Sequence, residues 1–215
     1  MINFIVNLPT PGLAPVYAQC QDILEHYFRR HHLPYFFLEQ HDYKVHPSWL
    51  KLKCFDYVKE DFVLCWDMDL LPWSWCPSIK DRLDFKKINL VADTMYLKEP
   101  DHPLFKDYPY FRYNCGLMGL PRRYRPLLEE IFAKASPEHL AQEQFPMNEA
   151  LGRNNYADVH ELDPTWNYLS RYYSLGKAMT NCVHYNHDDL KVNAQLRHDM
   201  LFSKDLPKAD STVFI

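Results

Sequence analysis

No stretch of this chain approaches the run of about 18 apolar residues that a membrane helix needs, so no span is expected. Its six cysteines (Cys20, Cys54, Cys65, Cys76, Cys115 and Cys182) form no Cys-x-x-Cys pair, and several sit inside apolar runs. Most are therefore expected as buried free thiols, which favours a reducing compartment, although an even count leaves secretion open. Positive charge is scarce in any organised form: the net charge is -4 and there is no Lys/Arg stripe beyond pairs such as Arg122-Arg123. A nucleic-acid partner is thereby excluded from the expectations. The first residues, Met1-Ile2-Asn3-Phe4-Ile5-Val6-Asn7, lack the basic start and long apolar core of a signal peptide and read as a strand. A soluble, unanchored chain, cytoplasmic by default, is the expectation. Five glycines against sixteen prolines point to stiff loops. Without a repeat, a low-complexity tract or a linker, one domain over residues 1–215 is expected. The apolar finish Ser211-Thr212-Val213-Phe214-Ile215 is compatible with excision from a longer chain.

What is present begins with a core: 47% hydrophobic residues in 215 suffice for one sizeable α/β domain. The most informative segment is Asp61-Phe62-Val63-Leu64-Cys65-Trp66-Asp67-Met68-Asp69-Leu70-Leu71-Pro72. Phe62 to Trp66 is continuously apolar, as in a strand covered on both faces. Asp67 and Asp69 follow at the carboxyl end of the sheet, where open α/β folds place their ligands. Two carboxylates so spaced can reach one hard divalent cation if the backbone turns there; alternatively they are solvated acids opening a loop. Pro72 marks the end of the strand.

Further strands are expected at Ile2 to Asn7, Tyr35 to Leu38, Ile88 to Ala92, Arg112 to Leu120, Val159 to Leu162 and Ala178 to His184. Helical spacing runs from Pro15 to Arg30 through Val16, Cys20, Ile23-Leu24 and Tyr27-Phe28. Further helices are expected at Pro47 to Val58, Arg123 to Lys134 and Leu140 to Leu151, and in the polar C-terminal segment. Lys98 to Tyr110, rich in Pro and Tyr, reads as a loop. Alternating strands and helices argue for a mixed, mostly parallel sheet flanked by helices.

The order of these motifs resembles that of the GT-A glycosyltransferases, across nearly the whole chain to about Lys191. Within that fold it is most similar to the glycogenin and lipopolysaccharide galactosyltransferase families, and a chlorella-virus glycosyltransferase domain shares the layout. The resemblance implies a GT-A (Rossmann-like) fold and Mn²⁺ or Mg²⁺ as cofactor. It further implies a nucleotide-sugar donor, most often a UDP-sugar, a glycan acceptor, and retention of configuration. It places Asp67 and Asp69 on the metal and Lys51, from Trp49-Leu50-Lys51, near the donor. Asp93 of Ala92-Asp93 would touch sugar hydroxyls, a task suited to a carboxylate; its plainer reading is a turn cap. Tyr113-Asn114-Cys115-Gly116-Leu117-Met118 is similar to a Phe-Asn-Ser-Gly-Val-Met strand, with Asn114 and Gly116 against the donor sugar and Cys115 in place of the usual serine. Glu143-Gln144-Phe145-Pro146-Met147-Asn148 resembles Asp-Gln-x-x-Leu-Asn, which places Glu143 and Gln144 beneath the anomeric carbon. Asp163-Pro164-Thr165-Trp166-Asn167-Tyr168 resembles a Leu-Pro-x-x-Trp-Asn turn with structural and acceptor-side roles.

Near the end of the match, Cys182-Val183-His184 continues to Lys191, and the resemblance makes a histidine here the third metal ligand and Lys191 a partner of the diphosphate. The His-to-Lys spacing is one residue longer than the family pattern and its glycine is missing. His184, at a strand end, fits the ligand position, with His187 as the alternative. Asn7, Leu8 and Thr10, leaving the first strand, fall where base and ribose contacts begin. The candidate catalytic residues are thus Glu143, Gln144 and Asp93. Two other readings of the chain are a non-catalytic nucleotide-sugar-binding domain and an Asp-x-Asp phosphatase. The second lacks the Thr or Val expected at Leu71 and a downstream Gly-Asp-x-x-x-Asp.

Overall fold

The computed structural model describes residues 1–9, 12–135, 143–170, 180–185, 190, 191, 194 and 198. Strands β1 (Ile2–Val6), β2 (Tyr35–Leu38), β3 (Phe62–Trp66), β5 (Ile88–Ala92), β6 (Tyr113–Pro121) and β7 (Val159–Leu162) form one sheet in the order β2-β1-β3-β6-β5-β7. β1 pairs in parallel with β2 and β3, and β5 with β7; β6 runs antiparallel between β3 and β5. A second sheet joins β4 (Leu70–Pro72), β9 (Cys182–His184) and β8 (Tyr168–Leu169).

Burial explains the continuous apolar runs. In β3, Phe62, Leu64 and Trp66 enter one core cluster and Val63 and Cys65 the other, because successive side chains point to opposite faces. Helix α1 (Ala14–Arg30) packs Cys20, Ile23, Leu24, Tyr27 and Phe28 on the first face. On the second lie Leu128 and Ile131 of α5 (Arg125–Phe132) and Met147 and Leu151 of α6 (Gln144–Gly152). All six cysteines are buried free thiols.

Three expectations are corrected. Pro47 to Val58 is not one α-helix but a 3₁₀ segment, Pro47–Lys53, followed by the single turn α2 (Cys54–Tyr57). Trp49, Leu50, Lys51 and Leu52 are all buried, so the segment has no solvent face for an amphipathic helix to present. The loop at Lys98 to Tyr110 contains α4 (Leu104–Asp107) and adjoins α3 (Thr94–Lys98), whose first turn is capped by Asp93 accepting from Met95 N at 2.7 Å. The chain also resumes as a strand at Leu70–Pro72. Pro72 is its last residue and lies opposite Cys182. Residues 140–142, 178–179 and most of the C-terminal segment lie outside the described residues.

One buried asparagine docks α6 on the sheet. Asn148 Oδ1 accepts from Arg112 N at 2.9 Å and Tyr113 N at 2.8 Å, while Nδ2 donates to Tyr113 O and Gln144 O, both at 2.8 Å. Asn148→Ala would strand these backbone groups at about 1–3 kcal/mol for each buried one. It is expected to lower the urea unfolding free energy by at least ~2 kcal/mol; an unchanged midpoint would refute this account of the docking.

Candidate functional site

At the carboxyl ends of β1 and β3 the structure forms a cavity of about 500 Å³. Two backbone devices shape it. Between β5 and β6 the register slips, from Leu90 opposite Met118 to Val91 opposite Asn114, so residues 115–117 bulge away from β5. The bulge turns toward the acidic turn, where Asp67 N donates to Gly116 O at 2.8 Å. The small sheet then sets Leu70 opposite His184, and Tyr185 N donates to Asp69 O at 3.1 Å. The result is a cluster of Asp67, Asp69 and His184.

His184 Nε2 lies 3.1 Å from Asp69 Oδ1 and 3.8 Å from Asp67 Oδ2. The three residues offer ligand atoms all within 4.8 Å of one another. Two hard carboxylates and an imidazole suit a divalent cation such as Mn²⁺. His184 Nδ1 lies 3.0 Å from Asn167 Oδ1, which leaves Nε2 facing the acids. Asn167 Nδ2 in turn donates to Asn114 Oδ1 at 2.8 Å, and Asn114 Nδ2 to Asp93 Oδ2 at 3.0 Å. This chain of amides gives Asn167 a place beside His184 as well as in a turn. The Trp-Asn motif pointed to the position but not to the contact.

The charges are unequally settled. Burial works to lower the Lys51 pKa, but attraction to Asp67 and then Glu143 outweighs it and holds the ammonium well above the ordinary lysine range. Burial likewise would raise Glu143, yet the adjacent Lys51 keeps it below the usual carboxylate range. Asp67 is pushed up to about 6, by burial first, with Lys51 opposing and Asp69 adding to the rise. Burial opposes protonation of His184, but Asp69 beside it carries the value up to about 8. For Asp69 burial acts upward, and the His184 charge prevails to hold it low.

The expected residues fall into three groups. Asp67, Asp69, Asp93, Asn114, Gly116, Glu143, Gln144, His184 and Leu8 line the cavity together. Lys51, expected to face the donor, does not. It is 1% exposed, and Nζ donates to Asp67 Oδ1 at 2.7 Å and Cys115 O at 2.9 Å and contacts Glu143 Oε1 at 2.9 Å. Its three donors are engaged beneath the cavity, so it acts on Asp67 from below. Asn7 turns its amide to Gln21 Oε1, and Lys191 is exposed and off the cavity lining. Thr10 and His187 lie outside the described residues. Asp93 is both the turn cap and a cavity residue. Sequence reasoning missed Tyr17, Ser48, Phe111 and Phe145 in the lining. For Ser48 a signal existed: His46-Pro47-Ser48 is a helix start, with His46 Nδ1 accepting from Ser48 N at 3.3 Å.

No family model and no curated relative matches the chain by sequence. Solved structures do match by shape. A glycosyltransferase involved in glycosylation of the PBCV-1 major capsid superposes with a TM-score of 0.64 at 11% identity, covering 91% of this chain and 100% of that one. The galactosyltransferase LgtC, bound to donor and acceptor sugar analogues, gives 0.60 at 12%, over 92% and 94%. The glycosyltransferase GlyE of Streptococcus pneumoniae TIGR4 gives 0.55 at 13%, over 88% and 56%.

Two outcomes test this geometry. Lys51→Met would leave Asp67 and Glu143 without their buried counter-charge, a change that costs about 3–5 kcal/mol in closed sites. The loss is expected near the lower bound, since the Asp67 side chain keeps 26% exposure; an unchanged urea midpoint would argue against the buried triad. A Cβ on Gly116 would sit 2.7 Å from His184 Cε1 and 2.8 Å from Nδ1. Gly116→Ala is therefore expected to displace the imidazole and, if the three side chains bind a divalent cation, to weaken that binding by about 10–100-fold, as loss of an orienting contact does; calorimetry of Mn²⁺ with wild type and the folded variant reads this directly. The chain has the GT-A fold.

Proposed function

We propose that this chain is a metal-dependent glycosyltransferase that moves a sugar from a nucleoside diphosphate, UDP first among candidates, to a hydroxyl of a glycan or glycoconjugate with retention of configuration. The observation that carries the reading is the sign of the cavity. Asp67, Asp69, Asp93 and Glu143 line it, and among the described residues no lysine or arginine does. An anionic diphosphate entering such a cleft is repelled unless a cation accompanies it, and three ligating side chains converge where that cation would sit. Asp67, Asp69 and His184 Nε2 would hold the ion, which when bound acts as a Lewis acid toward the leaving diphosphate. The remaining roles belong to the protein. Lys51 fixes the rotamer of Asp67 through the 2.7 Å bond, and Asn167 fixes His184 through Nδ1. Asp93 and Asn114, already linked to each other, present further acceptor and donor capacity to sugar hydroxyls. Glu143 and Gln144, at the start of α6, support the sugar from the other wall. Gln144 is held by Cys115 N donating to Oε1 at 3.1 Å.

A non-catalytic sugar-nucleotide-binding domain is the second reading, favoured by the absence of Lys51 and Lys191 from the cavity lining. Titration of UDP with Mn²⁺ is expected to give binding that disappears with EDTA. Asp69→Ala should abolish it, by more than the ~10–100-fold that accompanies loss of an outer-shell partner, while leaving the circular dichroism spectrum intact. Metal-independent binding, or normal turnover by Asp69→Ala, would overturn the metal reading. Metal-dependent hydrolysis of UDP-sugars separates the enzyme from the binding domain, and an inverted product anomer would remove retention.

A further inference from the structure

A second groove, of about 420 Å³, opens beside the cavity and shares two lining residues with it, Phe111 and Phe145. Helix α6 forms its floor. Phe145, Glu149 and Gly152 stand at i, i+4 and i+7 and so share one helical face. The wall is the segment 107–111, held on that face by two contacts. Tyr108 stacks on Phe145 with centroids 4.1 Å apart and planes at 27°. Tyr110 lies so close over Gly152 that a Cβ there would meet its ring at 2.5 Å. Tyr156 Oη also donates to Tyr110 O. Tyr108 is 39% exposed and Tyr110 41%, so each keeps ring surface open although packing already positions it. Two carboxylates, Asp107 and Glu149, complete the lining, and one Glu149 oxygen is engaged by Arg153 at 2.5 Å.

Aromatic surface with a few carboxylates is the chemistry that receives a pyranose: the ring's CH face meets the aromatic and its hydroxyls donate to the acids. We propose that this groove is the acceptor subsite, taking a sugar ring of the acceptor glycan against Tyr108 with its hydroxyls on Asp107 and Glu149. The attacking hydroxyl then points past Phe111 and Phe145 into the donor cavity. The assignment rests on the transferase reading for its direction. Continuity with the donor cavity decides in its favour, because Phe145 directly follows Glu143 and Gln144, so the first turn of α6 faces both spaces.

Saturation-transfer NMR tests this with the protein plus UDP and Mn²⁺, using cellobiose, lactose, maltose, and octyl β-glucoside below its micelle concentration. At least one disaccharide is expected to receive saturation on the CH protons of one ring. Tyr108→Ala should weaken that binding about fivefold to tenfold, the size of one aromatic contact. Tyr108→Phe should preserve it, and neither change should alter UDP affinity. The half-exposed position of Tyr108 makes both variants compatible with folding. No disaccharide signal in the wild type, equal signal in Tyr108→Ala, or loss in Tyr108→Phe would overturn the stacking subsite. So would saturation of the octyl chain in preference to the sugar, which would make the groove an alkyl site. The two readings fail separately. UDP binding without a sugar signal removes the subsite alone. A Tyr108-dependent sugar signal without UDP binding removes the UDP-dependent transferase reading and keeps a sugar groove.

Discussion

The buried ammonium of Lys51 is the constraint on which the site depends. It bridges three pieces of chain that meet nowhere else in sequence: the end of β3 through Asp67, the bulge of β6 through Cys115 O, and the start of α6 through Glu143. Removing a charge from water is expensive, and the cost is offset only when every donor is matched. A lysine suits this task because it is a compact charge with three donors, and three acceptors surround it. The energetic result is a cavity floor in which two of the acids are already compensated. Asp69 is left to His184.

That division explains how so acidic a cavity coexists with a stable fold. Four carboxylates in one cleft would repel one another strongly in a medium of low dielectric. Here Glu143 and Asp67 share Lys51, and Asp93 is bound by Met95 N and Asn114 Nδ2. Asp67 and Asp69 keep their outer oxygens toward His184 and the open space. Negative charge is therefore concentrated at one point instead of being spread through the cleft.

The strands were legible because two-sided burial writes itself as continuous apolar sequence. Tyr35 to Leu38 and Ile88 to Ala92 could be bounded from composition alone, and Phe62 to Trp66 led directly to the acids. The antiparallel insertion of β6 was not legible, since nothing in a strand's own sequence states its direction. Lys51 was located but misdirected. Its partners come from β6 and α6, and only the tertiary fold brings Glu143 beneath Asp67. Gly116 was read as room for a sugar; it lines the cavity, and the imidazole of His184 also needs that room, a contact the sequence did not suggest. Leu70–Pro72 was hidden by its closing proline, and Asn167 by the dependence of its role on a strand that follows it in sequence.

The two sides of the cleft are built by different means, with different consequences. On the side of Asp67, Asp69 and His184, positions are fixed by backbone: Asp67 N to Gly116 O, Tyr185 N to Asp69 O, and the Leu70–His184 pairing. Backbone bonds of this kind do not depend on side-chain identity, so the relative placement of these three side chains is set by the fold itself. On the α4–β6 side, position rests on ring contacts, Phe105 on Phe111 at 5.5 Å and Tyr108 on Phe145 at 4.1 Å, within a segment whose helices are single turns. Such contacts change with each substitution, whereas ladders do not. Variation in the 98–111 segment can thus alter what lies beside the cavity without disturbing Asp67, Asp69 and His184, which is how a rigid scaffold with variable loops separates the chemistry of a site from its selectivity.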